Sequence, residues 1–102
     1  MKIQVKLGNM ASSPFIKFNV TLDNRLFNFT VKWNDYDNTA YLWLYDADMQ
    51  PIVLGRALVN GLKIRTDRRL LPQDLRFIHL NGETYEPDLD TIGEEFGFIY
   101  GS

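Results

Sequence analysis

The sequence contains no cysteine and a single histidine, His79. The first absence excludes disulfides, thiolate nucleophiles and cysteine-ligated metals. The second excludes a His-rich metal site or a His-centred pair. The glycines stand apart from one another, so there is no Gly-rich phosphate loop. No apolar run approaches the roughly 20 residues of a membrane-spanning helix. The opening "MKIQVKLGN" alternates charged and apolar residues where a signal peptide needs an unbroken apolar stretch. Synthesis and folding in a cytoplasm are the expectation. Positive charge is absent from the C-terminal fifth. Residues 1–80 hold all 11 Lys and Arg with 7 acids, a balance of +4, whereas residues 81–102 hold 6 acids alone, a balance of −6.

What is present is a globular composition, 45% apolar and unusually aromatic at 14%. A chain of 102 residues amounts to one domain, here residues 1–102, with an expected radius of gyration of about 13 Å. Period-two alternation dominates it. Ile3, Val5 and Leu7 alternate with Lys2, Gln4 and Lys6, and "GNMASSP" then breaks the run. Phe18, Val20 and Leu22 lead through Asp23-Asn24, a two-residue hairpin turn, to Phe27, Phe29, Val31 and Trp33. After "NDYDN", the segment "TAYLWLYD" places Tyr41, Trp43 and Tyr45 on one face and Leu42 and Leu44 on the other. A strand apolar on both faces is either central to a sandwich or covered from outside.

"IVLGRAL" and "LKIR" give two short strands, or one interrupted at Gly55 and Asn60-Gly61; "LRFIHL" and "EFGFIY" complete the set. "RRLLPQD" and "EPDLDTIG" have room for one helical turn each. The predicted fold class is all-β: a single small β-sandwich or β-barrel-like domain of about six to eight short antiparallel strands.

Candidate chemistry is thin. His79 shares a strand face with Leu75 and Phe77 and reads as a packed or rim histidine. The acids Glu83, Glu86, Asp88, Asp90, Glu94 and Glu95 do not follow calcium-loop spacing, and Asp46 and Asp48 of "DADMQP" lack the further ligands such a loop requires. A carboxylate pair for glycoside hydrolysis needs a cleft for which so small a domain has little room. The prediction is no enzyme, no cofactor and no metal. Tyr41, Trp43 and Tyr45 resemble a nucleic-acid stacking platform, but their strand carries no Lys or Arg and the acidic end repels phosphate. Two readings of the charge stay open. Both ends are solvated surface, or the acidic turn (Glu86, Asp88, Asp90, Glu94, Glu95) meets the basic segment "KIRTDRR" (Lys63, Arg65, Arg68, Arg69) of a neighbour. With Tyr41, Trp43 and Tyr45, these are the candidate interface residues.

The order of these pieces resembles a known family. "FNVTLDNRLFNFTVKWND", "AYLWLYDADMQPIVLGRALVNGLKI" and "NGETYEPDLDTIGEEFGFIYGS" look like the small phage baseplate plug proteins, of the kind described in a cyanophage baseplate. The pattern maps to Val20–Asp23, Trp33-Asn34, Trp43–Pro51, Gly55–Gly61 and Pro87–Tyr100, roughly residues 18 to 100. The N-terminal strand and "GNMASSPF" fall outside it, and "RTDRRLL" is more basic than the pattern. The resemblance implies a structural virion protein at the tail tip, made in the host cytoplasm. Such a protein packs as a plug or ring component at the hub between tail tube and central spike. Its partners would be copies of itself or other baseplate, hub and tail-tube proteins, with neither nucleic acid nor membrane. The alternative, from the residues alone, is a stand-alone module binding carbohydrate or peptide through the Tyr41, Trp43 and Tyr45 face.

Overall fold

Phe27, Phe29 and Val31 alternate with Asn28, Thr30 and Lys32, and such a chain buries one face only by extending. The structure, a computed structural model, describes residues 3–6 and 15–101. It contains β1 (Ile3–Lys6), β2 (Phe15–Leu22), β3 (Arg25–Asn34), β4 (Thr39–Asp46), β5 (Pro51–Ala57), β6 (Leu62–Ile64), β7 (Leu75–His79) and β8 (Phe96–Tyr100). They form two four-stranded antiparallel sheets, β2-β3-β4-β5 and β1-β8-β7-β6, and the described residues form no helix. The all-β class and the strand number are as expected, and the two packed sheets make a sandwich. The radius of gyration is 12.8 Å.

The first sheet is a meander built by local turns. Asp23 and Asn24 take φ of 51° and 64°, the pair of positive values that a two-residue type I′ hairpin requires. At the β4–β5 turn, Asp46 Oδ1 accepts the backbone N–H of Asp48 and of Gln50, both at 2.9 Å. The carboxylate of "DADMQP" therefore organises its own loop. The two short segments flagged as single helical turns close in that way, through Leu71 N–H to Asp67 O and Ile92 N–H to Asp88 O.

The core lies between the sheets. Phe27, Phe29, Val31, Leu42 and Leu44 face Leu75, Phe77, Phe96 and Phe98, all essentially inaccessible to solvent. Phe98 lies 5.3 Å from Phe29 across the sheets and 5.3 Å from Phe77 on the neighbouring strand, both tilted. The Tyr100 hydroxyl donates to Asp23 and accepts the Gln73 N–H at 3.3 Å, tying the end of β8 to the β2–β3 turn.

Two details differ from the sequence reading. β2 begins at Phe15 rather than near Phe18. The terminal segments "KIQVKL" and "EFGFIY" both read from the sequence as sheet edges open to a neighbour; β8 is instead interior, paired with β1 on one side and β7 on the other. Leu7 and the "GNMASSP" loop lie outside the described residues.

β1 can lie against β8 because residue 97 has no side chain. A Cβ there would stand 2.7 Å from the Val5 carbonyl oxygen and 3.2 Å from Leu80 Cδ2. Gly97→Ala is expected to destabilise the protein by about 1–3 kcal/mol, the usual range for overpacking. Urea unfolding checks this, and an unchanged midpoint would place β1 elsewhere.

Candidate interaction surface

The inward residues of β4 are Ala40, Leu42 and Leu44, so the strand's pleat turns Tyr41, Trp43 and Tyr45 outward, where all three are half-buried. Register then decides their neighbours. Lys32 lies opposite Tyr41, Thr30 opposite Trp43 and Asn28 opposite Tyr45. On the other side, Leu54 of β5 lies opposite Trp43 and is 65% exposed. Gly55 makes that approach possible: at φ 70° it forms a bulge in β5, and the Trp43 indole lies over it, 3.6 Å from where a Cβ would be.

On the β2 side, Phe15 is 43% exposed and carries two ammonium groups over its ring, Lys32 Nζ at 5.0 Å and Lys17 Nζ at 5.4 Å. Lys32 Nζ also lies 5.4 Å from the Trp43 ring centroid. Together with Tyr45 and the exposed Met49, these residues line an open groove of about 410 Å³. Sequence reasoning found Tyr41, Trp43 and Tyr45 but missed Phe15, Lys17, Lys32, Met49 and Leu54. The outward alternation of β2 and β3 was visible in the sequence; the register bringing the two lysines to Trp43 was not.

The basic segment is less free than its sequence suggests. Asp74 is surrounded by Arg68 at 3.0 Å, Lys63 at 3.5 Å and Arg76 at 3.8 Å. Arg69 grips Asp67, with Nη2 to Oδ2 at 2.8 Å. Partial burial raises the Asp74 carboxyl, but the Arg68 hydrogen bond and the Lys63 and Arg68 charges outweigh it, and the net shift is downward. Asp67 is also lowered, chiefly by the Arg69 side-chain hydrogen bond. Among the described residues only Arg65 of the four predicted cations has no such carboxylate.

The acidic stretch makes up most of the β7–β8 connection and folds against the β5–β6 connection. Glu86 Oε1 accepts the Asn60 N–H at 2.9 Å, and Asp88 Oδ1 caps the turn by accepting the N–H of Asp90 and Thr91. Asp90 and Glu94 are exposed. Glu95 Oε1 accepts the Tyr85 hydroxyl and lies 3.1 Å from His79 Nε2, which is also 2.8 Å from the Tyr85 oxygen. His79 Nδ1 accepts the N–H groups of Asn81 and Glu83, which assigns the ring proton to Nε2. The side chain is 2% exposed and pins the loop as a structural residue. Among the described residues no group of three or more His, Cys, Asp or Glu side chains converges on a potential metal position.

An all-β sandwich with an aromatic sheet face left uncovered by its other described residues is the class of protein these features define. A family model described as "Cyanophage baseplate Pam3 plug gp18" matches residues 5–102, and the chain belongs to that family of structural baseplate plug proteins. It is accordingly part of a multi-subunit baseplate in a virion tail. The match also takes in the second half of β1 and the "GNMASSPF" segment, which the sequence pattern had left outside. No curated protein matches the chain.

The Tyr85–Glu95–His79 cluster gives a pH dependence of defined sign. Hydrogen bonds from Tyr85 and then His79 lower the Glu95 carboxyl from 4.5, so its stabilisation is complete above pH 4.5 and is lost as pH falls through the folded value. The hydrogen bond to Glu95 raises Tyr85 from 10.0 to about 12. That contribution is complete below pH 10.0 and is lost as pH rises towards about 12. Tyr85→Phe is expected to reduce the alkaline loss, leaving the share of Tyr41 and Tyr100, and to flatten the acid one, read from urea midpoints across pH. Unchanged limbs would show that the Tyr85–Glu95 hydrogen bond does not link the two titrations.

Proposed function

We propose that this chain works as one β domain that packs as a plug or ring component at the baseplate hub, between tail tube and central spike, and that it does so without catalysis. The family match over residues 5–102 carries this reading. The surface supports it physically. A face with Trp43 half-buried, Leu54 65% exposed and Met49 57% exposed gains from being covered, and each large apolar side chain moved out of water is worth about 1.5–3 kcal/mol. Tyr41, Trp43 and Tyr45, the exposed Arg65 and the outward acids of the 83–95 turn are the contact residues of this reading. Lys63, Arg68 and Arg69 play a lesser part, because Asp74 and Asp67 already hold them. The partners are copies of the chain or neighbouring baseplate, hub and tail-tube proteins, with neither nucleic acid nor membrane.

The open groove beside Trp43 also favours a second reading, a free module that takes carbohydrate or peptide there. Antibody labelling of intact virions, imaged by electron microscopy, separates the two. Label confined to the tail tip is the expected result. A chain absent from particles and found free in the lysate as a monomer would overturn the hub assignment and send attention to ligands of the Trp43 face.

A further inference from the structure

We infer that two copies of this chain join head to tail, the acidic 83–95 turn of one seating on the Lys17–Lys32 aromatic groove of the next. The inference rests on the assembly reading above and names the contact within it.

The groove is cationic without compensation. Its lining includes Lys17 and Lys32 and contains no carboxylate, and among the described residues neither lysine forms an ion pair. The Phe15 and Trp43 rings hold both ammonium groups at the groove surface. These are fixed positive charges on an apolar floor, the arrangement that receives a carboxylate together with an aromatic or aliphatic side chain.

The 83–95 turn supplies the complement. It has no Lys or Arg, and three of its acids are engaged at home: Glu86 with Asn60, Asp88 as the cap, and Glu95 with Tyr85 and His79. Glu83, Asp90 and Glu94 remain exposed, with the half-exposed Tyr85 ring beside them. The cap and the Asn60 bonds hold the turn in one shape, so seating it costs little ordering.

The remaining question is which positive surface it meets. The basic segment was the candidate from sequence, but Asp67 and Asp74 occupy most of its cations. The groove keeps both of its own. Groove and turn lie on different elements, and no ion pair joins them within one copy among the described residues. The contact is therefore heterologous, and it closes into a ring when the rotation between copies permits.

Sedimentation of the purified full chain tests this, with circular dichroism confirming the fold of each variant. The wild type is expected to self-associate at about 0.05 M salt and to weaken by about tenfold or more at 0.5 M, where charges are screened. Lys17→Glu with Lys32→Glu, and separately Asp90→Lys with Glu94→Lys, should each weaken association by about tenfold or more. Mixing the two double variants should restore it, since a reversed groove then meets a reversed turn. A wild type that stays monomeric overturns the contact, even if the groove captures another baseplate protein or a saccharide. So does association untouched by the lysine reversals, or a mixture that remains monomeric. A monomer whose label still sits at the tail tip would leave the hub reading standing while this contact fails.

Discussion

Phe98 is the side chain on which both sheets depend. Its ring meets Phe29 of the opposite sheet and Phe77 of its own, and the chain has neither disulfide nor helix among its described residues to hold the layers otherwise. Sheet stacking is therefore driven by burial of large aromatic and branched side chains from both inner faces. Much else follows from that contact. β8, which carries Phe98, pairs with β7 on one side and β1 on the other, and β1 comes close enough only because Gly97 leaves room for the Val5 carbonyl. The Tyr100–Asp23 bond then ties the end of β8 to the turn of the first hairpin.

The same commitment creates the candidate interaction surface. Once Leu42 and Leu44 are buried against the other sheet, the pleat leaves Tyr41, Trp43 and Tyr45 no inward position. An outward aromatic row on an interior strand is costly for an isolated domain, and in the proposed packing a neighbour would remove it from water. Charge is arranged by the same economy. Asp67 within the basic segment and Asp74 just beyond it hold most of its cations, whereas among the described residues Lys17 and Lys32 of the groove and Glu83, Asp90 and Glu94 of the turn form no ion pair. A rigid frame with unmatched charge at two separate places suits directional packing better than reversible ligand capture.

Sequence legibility followed the range of the interaction. The Asp23-Asn24 hairpin, the "DADMQP" turn and the inward sets of β3 and β4 were readable because each depends on residues a few positions apart. The family resemblance was readable from residue 18 onward through the order of such local pieces, while the model match extends to residue 5. The interior position of β8 was not readable, since a strand's neighbours in a sheet are chosen by the whole chain. Nor was the difference between free and occupied cations. Asp74 gathers Lys63, Arg68 and Arg76 from positions on either side of it, and only the β6–β7 pairing brings them together.

The amino-acid sequence by itself determined the all-β class, the turns and which side of each strand is apolar, because side-chain alternation and turn chemistry act within a few residues. The tertiary structure decided which strands lie at the edges, which lysines stand beside Trp43 and which carboxylates remain available to a neighbour. Those depend on register and sheet order, which are settled by packing between residues far apart in the chain.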